Sequence, residues 1–260
     1  LNDISLRAIK ILKDVSLIAC EDTRQTKKIT SRYKISNKLI SFNKHNSRKR
    51  IPQIINYLKE GKSIALVTDA GLPSICDPGE DLVKIAKSNK FKTICIPGPS
   101  APLTALISSG FPASKFIFEG FLPKKKRERE KILHEISKNE KTTIVFEAPH
   151  RLNKLLNELR EYCGADREVI VCRELTKKFE EQIHDRVDNL KDFFKDREVL
   201  GEITIVIKGI DKTNIVKINE SDIKKELNEL INAGLSLSAA SKYLAKKKNL
   251  TKKTIYNLYL

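Results

Sequence analysis

Short apolar runs alternate with amphipathic stretches along most of this chain. Ile4, Leu6, Ile9 and Leu12 recur at helical spacing and predict a helix over 4–13 with Asp3 as N-cap; residues 16–20 then read as a strand. A second helix is expected after Asp22, a short strand near 39–42, and a helix from Asn46 or Ser47 to Leu58, ended by Gly61. Residues 64–67 read as a buried strand, Pro78-Gly79 opens a helix to Ser88, and 93–96 is the next strand. This alternation argues for an α/β fold with a mostly parallel, doubly wound sheet.

The pattern resumes after the Gly110-Phe111-Pro112 break. Strands are expected at 115–118, 142–146, 168–172, 183–187 and 203–207, with helices at 124–138 and 150–162. Residues 211–220 read as a linker. In the last 40 residues Ile223, Leu227, Leu230 and Ile231, then Leu235, Ala239, Ala240, Tyr243 and Leu244, keep the helical period. Gly234 separates two short helices and 251–259 makes a third, a helix-turn-helix-like module. The expected organisation is 1–112, 113–210, and 211–260 as linker plus helical module. A doubly wound fold usually begins with a strand, whereas this sequence opens at the mouth of a helix and contains no Met. A first strand and its loop are therefore expected ahead of Leu1.

Composition narrows the class. At 40% hydrophobic residues the chain can bury a core. No apolar run approaches the ~18 residues of a membrane span, and the start has no secretory pattern. Five scattered cysteines form no C-x-x-C, so neither a disulfide framework nor a cysteine zinc site is expected, and the cytosol is the expected compartment. The four His and five Cys show no ligand spacing, so no metal is expected.

The formal charge is +17, and its distribution says more than its sum. Arg24–Lys59 holds 11 basic residues and no acid; Lys124–Lys131 holds six basic and two acidic; Ser221–Leu260 holds eight and three. The remaining 176 residues are slightly acidic, at −3. A lysine-rich composition accounts for residue type but not for this clustering. Localised positive charge is the footprint of a polyanion partner, with a solvated lysine face as the alternative. Arg48, Lys49, Arg50, Lys124, Lys125, Lys126, Arg127, Lys246, Lys247 and Lys248 are the candidate phosphate contacts. Aromatics are only 6% and Trp is absent, which argues against extensive base stacking.

Candidate chemistry lies in loops that follow predicted strands: Glu21-Asp22-Thr23-Arg24, Thr68 to Gly79, and Pro97 to Pro102. Such loops form the ligand crevice of an open parallel sheet. Neither G-x-G-x-x-G nor G-x-x-x-x-G-K-[ST] occurs.

Six runs occur in order: CEDTR (20–24), TDAGLPSICDPG (68–79), PGPSA (97–101), EGFLP (119–123), EAPHR (147–151) and RELTK (173–177). Together they resemble the bacterial 16S ribosomal RNA cytidine 2′-O-methyltransferases, within the tetrapyrrole-methylase class of S-adenosylmethionine (SAM) enzymes. The resemblance runs from residue 1 to about 210, and the helical module also fits. It implies two α/β domains with SAM in the cleft between them, a homodimer, and 16S rRNA in the small subunit as substrate. Asp69, Ala70, Gly71, Pro73, Pro97, Gly98, Pro99, Ser100, Ala101 and Phe146 are the implied cofactor residues. Glu147, Arg151, Glu174, Lys177, Asp22 and Arg24 are the implied catalytic candidates, with Glu21 as a further base and Arg173 as a further anion fork. His150 reads as a helix-start hydrogen bonder or a base. Two other functions stay open: methylation of a tetrapyrrole or other small acceptor, and RNA binding without catalysis.

Overall fold

The computed structural model describes residues 2–211, 220–248 and 252–259. The chain divides into two compact units, Leu1–Gly209 and Ile210–Leu260.

The first unit contains two sheets. The smaller is made of β1 (Leu17–Cys20), β2 (Lys38–Ser41) and β3 (Ile64–Val67), in the order β2-β1-β3 and all parallel. β1 is central and fully buried. Helix α1 (Leu6–Asp14) precedes β1, α2 (Thr23–Arg32) and α3 (Ser47–Lys59) connect the strands, and α4 (Glu80–Ser88) follows β3. Ile51, Ile54 and Ile55 of α3 and Leu82 and Ala86 of α4 close one core over Ala19, and Leu12 of α1 closes another over Ile18. The first helix starts later than its apolar spacing suggests: Ser5, not Asp3, is the N-cap, its hydroxyl accepting from the Ala8 amide at 3.1 Å. Asp22 caps α2 and Asn46 precedes α3.

Residues 93–96, expected as a strand, form none. β3 pairs with β1 alone among the described strands, so this segment finds no ladder partner, and Ile94 is left 54% exposed. A β-branched run without a partner strand gains nothing from its propensity.

The larger sheet contains β4 (Phe116–Phe121), β5 (Thr142–Glu147), β6 (Glu168–Arg173), β7 (Glu181–Arg186) and β8 (Ile203–Ile207), ordered β4-β5-β8-β6-β7. β4 and β5 are parallel; β8 runs antiparallel to both β5 and β6, and β7 antiparallel to β6. The expectation of parallel strands, drawn from residues 4–96, holds in the smaller sheet, and the larger one is mixed. β8 is fully buried between two neighbours, and its unbroken apolar run does not reveal its direction.

Helices α6 (Lys126–Lys138), α7 (Leu152–Cys163) and α8 (Val187–Phe194) cover one face of this sheet around Leu133, Leu155, Leu156, Leu159, Leu190 and Phe194. A 3-10 turn at Pro149–Arg151 leads into α7. The other face is covered by α5 (Ala101–Ser109), which the sequence pattern did not single out, as it did not single out α8. Ala105 and Leu106 of α5 pack with Ile144, Ile170 and Val206. A helix on the N-terminal side of residue 112 thus belongs to the core of the second sheet. Its apolar residues point in all directions, which hides it from a search for amphipathic period.

The second unit consists of α9 (Glu220–Asn232), α10 (Leu237–Lys248) and α11 (Lys252–Tyr259) around Ile223, Leu227, Ala240, Leu244 and Ile255. Gly234, at φ +96°, ends the first of these helices. The interior of the 211–220 linker lies outside the described residues. No helix among the described residues is long and apolar enough to cross a membrane.

Candidate active site

Strand direction gathers the chemistry on one edge of the larger sheet. β5 and β6 end at Glu147 and Arg173, β8 begins opposite both at Ile203, and β7 begins opposite Arg173 at Glu181. The loop after β3 and the start of α5 meet this edge around a cavity of about 380 Å³, within the ~300–1,000 Å³ range of small-molecule sites. Its walls come from Ala70, Gly71 and Leu72, from Ser100, Ala101 and Pro102, from Phe121, from Phe146 to Pro149, from Leu175, and from Gly201 to Thr204.

Of the cofactor candidates, Ala70, Gly71, Ser100, Ala101 and Phe146 line the cavity; Asp69, Pro73, Pro97, Gly98 and Pro99 do not. Residues 97–99 back the wall instead. The Pro99 carbonyl oxygen is 3.8 Å, and for Gly98 the Leu72 Cδ2 is 3.7 Å, from where a Cβ would stand on Gly71 and Gly98 respectively. Gly71 sits at φ +70°, a conformation that disfavours a side chain. Phe146 is fixed edge-on against Phe118, with centroids 5.1 Å apart, and tilted against Phe121 at 5.5 Å.

The catalytic candidates fall into three groups. Glu147 lines the cavity through its part of the loop, but its carboxylate is fully buried. One oxygen accepts from the Ala148 amide at 3.0 Å and lies 3.3 Å from Arg151 Nε; the other accepts from Arg129 Nη2 at 3.0 Å. Arg129 also bonds Glu158 from Nε at 2.8 Å. Both Glu147 oxygens are thus engaged within the protein, which ties this carboxylate to the loop.

The second group surrounds Glu174, held at φ +51°. Its Oε1 accepts from the Glu202 amide at 2.8 Å and from Lys177 Nζ at 2.9 Å. Burial works against the Glu174 charge, yet those donors hold the carboxyl below its usual range. Lys177 reaches the Glu202 carboxylate at 3.1 Å, and Glu202 lines the cavity. Arg173, the neighbouring fork, is committed to Glu181 at 3.0 Å.

The third group is acidic. Asp22 donates its amide to Asp69 Oδ1 at 3.2 Å and binds Arg24 Nη2 at 2.7 Å. The Arg24 guanidinium pulls the Asp22 carboxyl down to about 2. The Thr68 hydroxyl lies 2.7 Å from Glu21 Oε2 and 2.8 Å from Asp77 Oδ2. Burial pushes the carboxyls of Asp77 and Asp69 above their ordinary range, and neighbouring acids add to the effect. Asp77 lines the cavity.

Asp22 is linked to the cavity loop through Asp69, and neither Asp22 nor Arg24 lines the cavity. His150, in the 3-10 turn, also stands outside its walls. Asp77, Glu202 and Arg129 were not singled out from the sequence. Asp77 was visible inside its motif, and Arg129 shares helical spacing with buried Leu133 and Ile136; nothing local marks Glu202.

Among the phosphate candidates, Arg48 and Lys49 at the start of α3 are exposed, Arg50 is half-buried, and Lys124 to Arg127 are exposed. Lys44, in the same basic segment as α3, donates to the Cys76 carbonyl at 3.2 Å, which brings that segment to the cavity rim. Lys246, Lys247 and Lys248 fall in α10, and their side chains lie outside the described residues. Among the described residues no group of three or more His, Cys, Asp or Glu could hold a metal ion.

A sequence profile for tetrapyrrole (corrin/porphyrin) methylases matches residues 1–191. The chain is 38% identical over 260 residues to "ribosomal RNA small subunit methyltransferase I" of Synechocystis sp., covering all of this chain and 93% of that protein. It is 40% identical over 266 residues to the protein of that name in Bacillus subtilis, covering 100% and 90%. For the Thermotoga maritima protein the figures are 45% over 209 residues, 80% and 93%. Among solved structures, a cobalt precorrin-4 methyltransferase of cobalamin biosynthesis superposes with a TM-score of 0.61 at 15% identity, covering 80% of this chain and 89% of that one. Uroporphyrin-III C-methyltransferase from Thermus thermophilus, complexed with S-adenosyl homocysteine, gives 0.55 at 14% identity, covering 79% and 91%. At such identities the likeness is one of fold.

Proposed function

The chain belongs to the tetrapyrrole (corrin/porphyrin) methylase family, and from that membership we propose that it transfers a methyl group from SAM to a cytidine ribose 2′-oxygen in 16S rRNA of the small ribosomal subunit. The observation that carries this reading is the cavity at the sheet edge with the basic Arg24–Lys59 segment reaching its rim through Lys44. The names of its relatives point to the same RNA.

The cavity suits the cofactor. Leu72, Ile75, Phe121, Phe146, Leu175 and Ile203 give it apolar walls, and Asp77 and Glu202 give it a negative side that a sulfonium would favour. The backbone of Ala70, Gly71, Ser100 and Ala101 would hold the cofactor, with Phe146 across from them. When bound, SAM supplies a methyl carbon open to in-line displacement by an oxygen. The protein's part is to align that oxygen, exclude water and accept the hydroxyl proton. With both Glu147 oxygens engaged, we assign this last role to Asp77 and Glu202, the other cavity carboxylates, with Lys177 acting on Glu202 from outside the cavity walls. Exposed Arg48, Lys49 and Lys124 to Arg127 would position RNA through its phosphates.

The test is nucleoside mass spectrometry of 30S subunits incubated with the protein and SAM. New 2′-O-methylcytidine is expected. Its absence while calorimetry shows SAM binding would overturn the substrate assignment, and methylation of a free corrinoid instead would move it to a small acceptor. RNA binding without SAM binding would leave a non-catalytic RNA binder.

Three finer points belong to the same reading. Residues 1–112 and 113–210 act as two lobes that meet at the cofactor. The protein works in the cytoplasm, where its RNA is. It is a homodimer, on the strength of the family resemblance; light scattering at micromolar concentration should give twice the 29.6 kDa of one chain, and a monomer mass would refute it.

A further inference from the structure

The run Lys124–Lys131 is one of the three basic segments read in sequence as a polyanion footprint, and Lys124 to Arg127 are exposed. Arg129 departs from it. Its side chain is 3% exposed, on the face of α6 that also buries Leu133 and Ile136. From there one guanidinium spans two elements: Nε and Nη2 reach Glu158 of α7, and Nη2 reaches Glu147 at the end of β5. Nη1 is buried and meets no acceptor among the described residues. A cation desolvated this far is held for its geometry, since a solvated lysine would serve charge alone.

What that geometry fixes is the cavity wall. The Glu147 carboxylate that Arg129 holds from behind accepts the Ala148 amide at 3.0 Å, and Phe146, Glu147, Ala148 and Pro149 all line the cavity. Arg151 closes the arrangement from the other side, its Nε at 3.3 Å from Glu147 and its Nη2 donating to the Leu122 carbonyl at 3.4 Å. We infer that Arg129 is a positioning residue for the methyl-transfer site, setting the 146–149 wall through Glu147, and that it takes no part in binding RNA. The inference rests on the function proposed above for its consequence in turnover, but not for its structural content.

Arg129→Lys separates these roles, because lysine keeps the charge and cannot bridge Glu147 and Glu158 together. Hydrogen–deuterium exchange read at Ala148 needs no ligand. Exchange there is expected to speed up by about tenfold or more while β1 is unchanged. S-adenosylhomocysteine affinity and kcat should fall by about tenfold, with RNA affinity and its salt dependence unchanged. Glu158→Gln, which loosens the same guanidinium from its less buried partner, should shift Ala148 exchange in the same direction by less, and it serves as the readout if the lysine variant does not fold. Unchanged exchange at Ala148 in both variants overturns the inference, as does a loss of RNA affinity in Arg129→Lys with exchange unaltered. If the unsubstituted protein fails to bind S-adenosylhomocysteine but exchange responds, the proposed function falls and the positioning role stands.

Discussion

Glu147→Ala is expected to destabilise the first unit by about 3–5 kcal/mol, because it strands a buried cation. Arg129 loses one of its two carboxylate partners, and its third nitrogen already lacks one. The Ala148 amide loses its acceptor at the same time. Urea unfolding followed by circular dichroism measures the effect. The cause can be separated from lost packing by Arg129→Met combined with Glu147→Leu. Replacing a buried pair by apolar groups of similar volume is often neutral, so the double variant should regain most of the stability while remaining inactive. A Glu147→Ala loss below about 1 kcal/mol, the range of an exposed ion pair, would mean that water reaches this network and that it does not hold the loop.

Ala70→Trp should have the opposite profile, abolishing cofactor binding with little effect on folding. Ala70 is exposed at the cavity mouth in the loop after β3, so an indole there meets no packed core. Stability should stay within about 0.5 kcal/mol, as for most surface substitutions. The indole would fill space that the cofactor needs, and S-adenosylhomocysteine affinity should fall by about 100-fold or more, close to 2.7 kcal/mol. Titration calorimetry reads this directly. Near-normal affinity in a folded variant would place the cofactor elsewhere and remove the assignment of Ala70, Gly71, Ser100 and Ala101.

How much of the site was legible in the sequence depended on whether its signals were local. The loops at 68–79 and 97–102 stand out because Gly and Pro punctuate them after apolar runs, and 147–151 stands out only as one of the motif runs. Within those loops the sequence could not separate residues that line the cavity from those that back it. Ser100 and Ala101 line it because α5 starts there and turns their backbone inward, while Pro97 to Pro99 lie behind Gly71 and Leu72. Glu202 illustrates the limit. It reaches the cavity because β8 runs antiparallel to β5, so the start of β8 lies beside the end of β5, and no local pattern encodes strand direction. Arg129 entered the sequence reading only as one of the six basic residues of Lys124–Lys131, because charge counting cannot see which side of a helix faces the core.

The sequence by itself determined the α/β class, most strands and helices, the helical C-terminal module, the family, and the concentration of net positive charge in three segments. Those follow from hydrophobic period, turn chemistry and motif order, all properties of neighbouring residues. Tertiary structure alone decided the mixed order β4-β5-β8-β6-β7, the loss of the strand expected at 93–96, the inward turn of Arg129, and the meeting of Asp77, Glu147 and Glu202 around one cavity. Each depends on which distant segments share hydrogen bonds or exclude water together. A strand needs a partner and a buried charge needs a counter-charge, and only the folded chain supplies them.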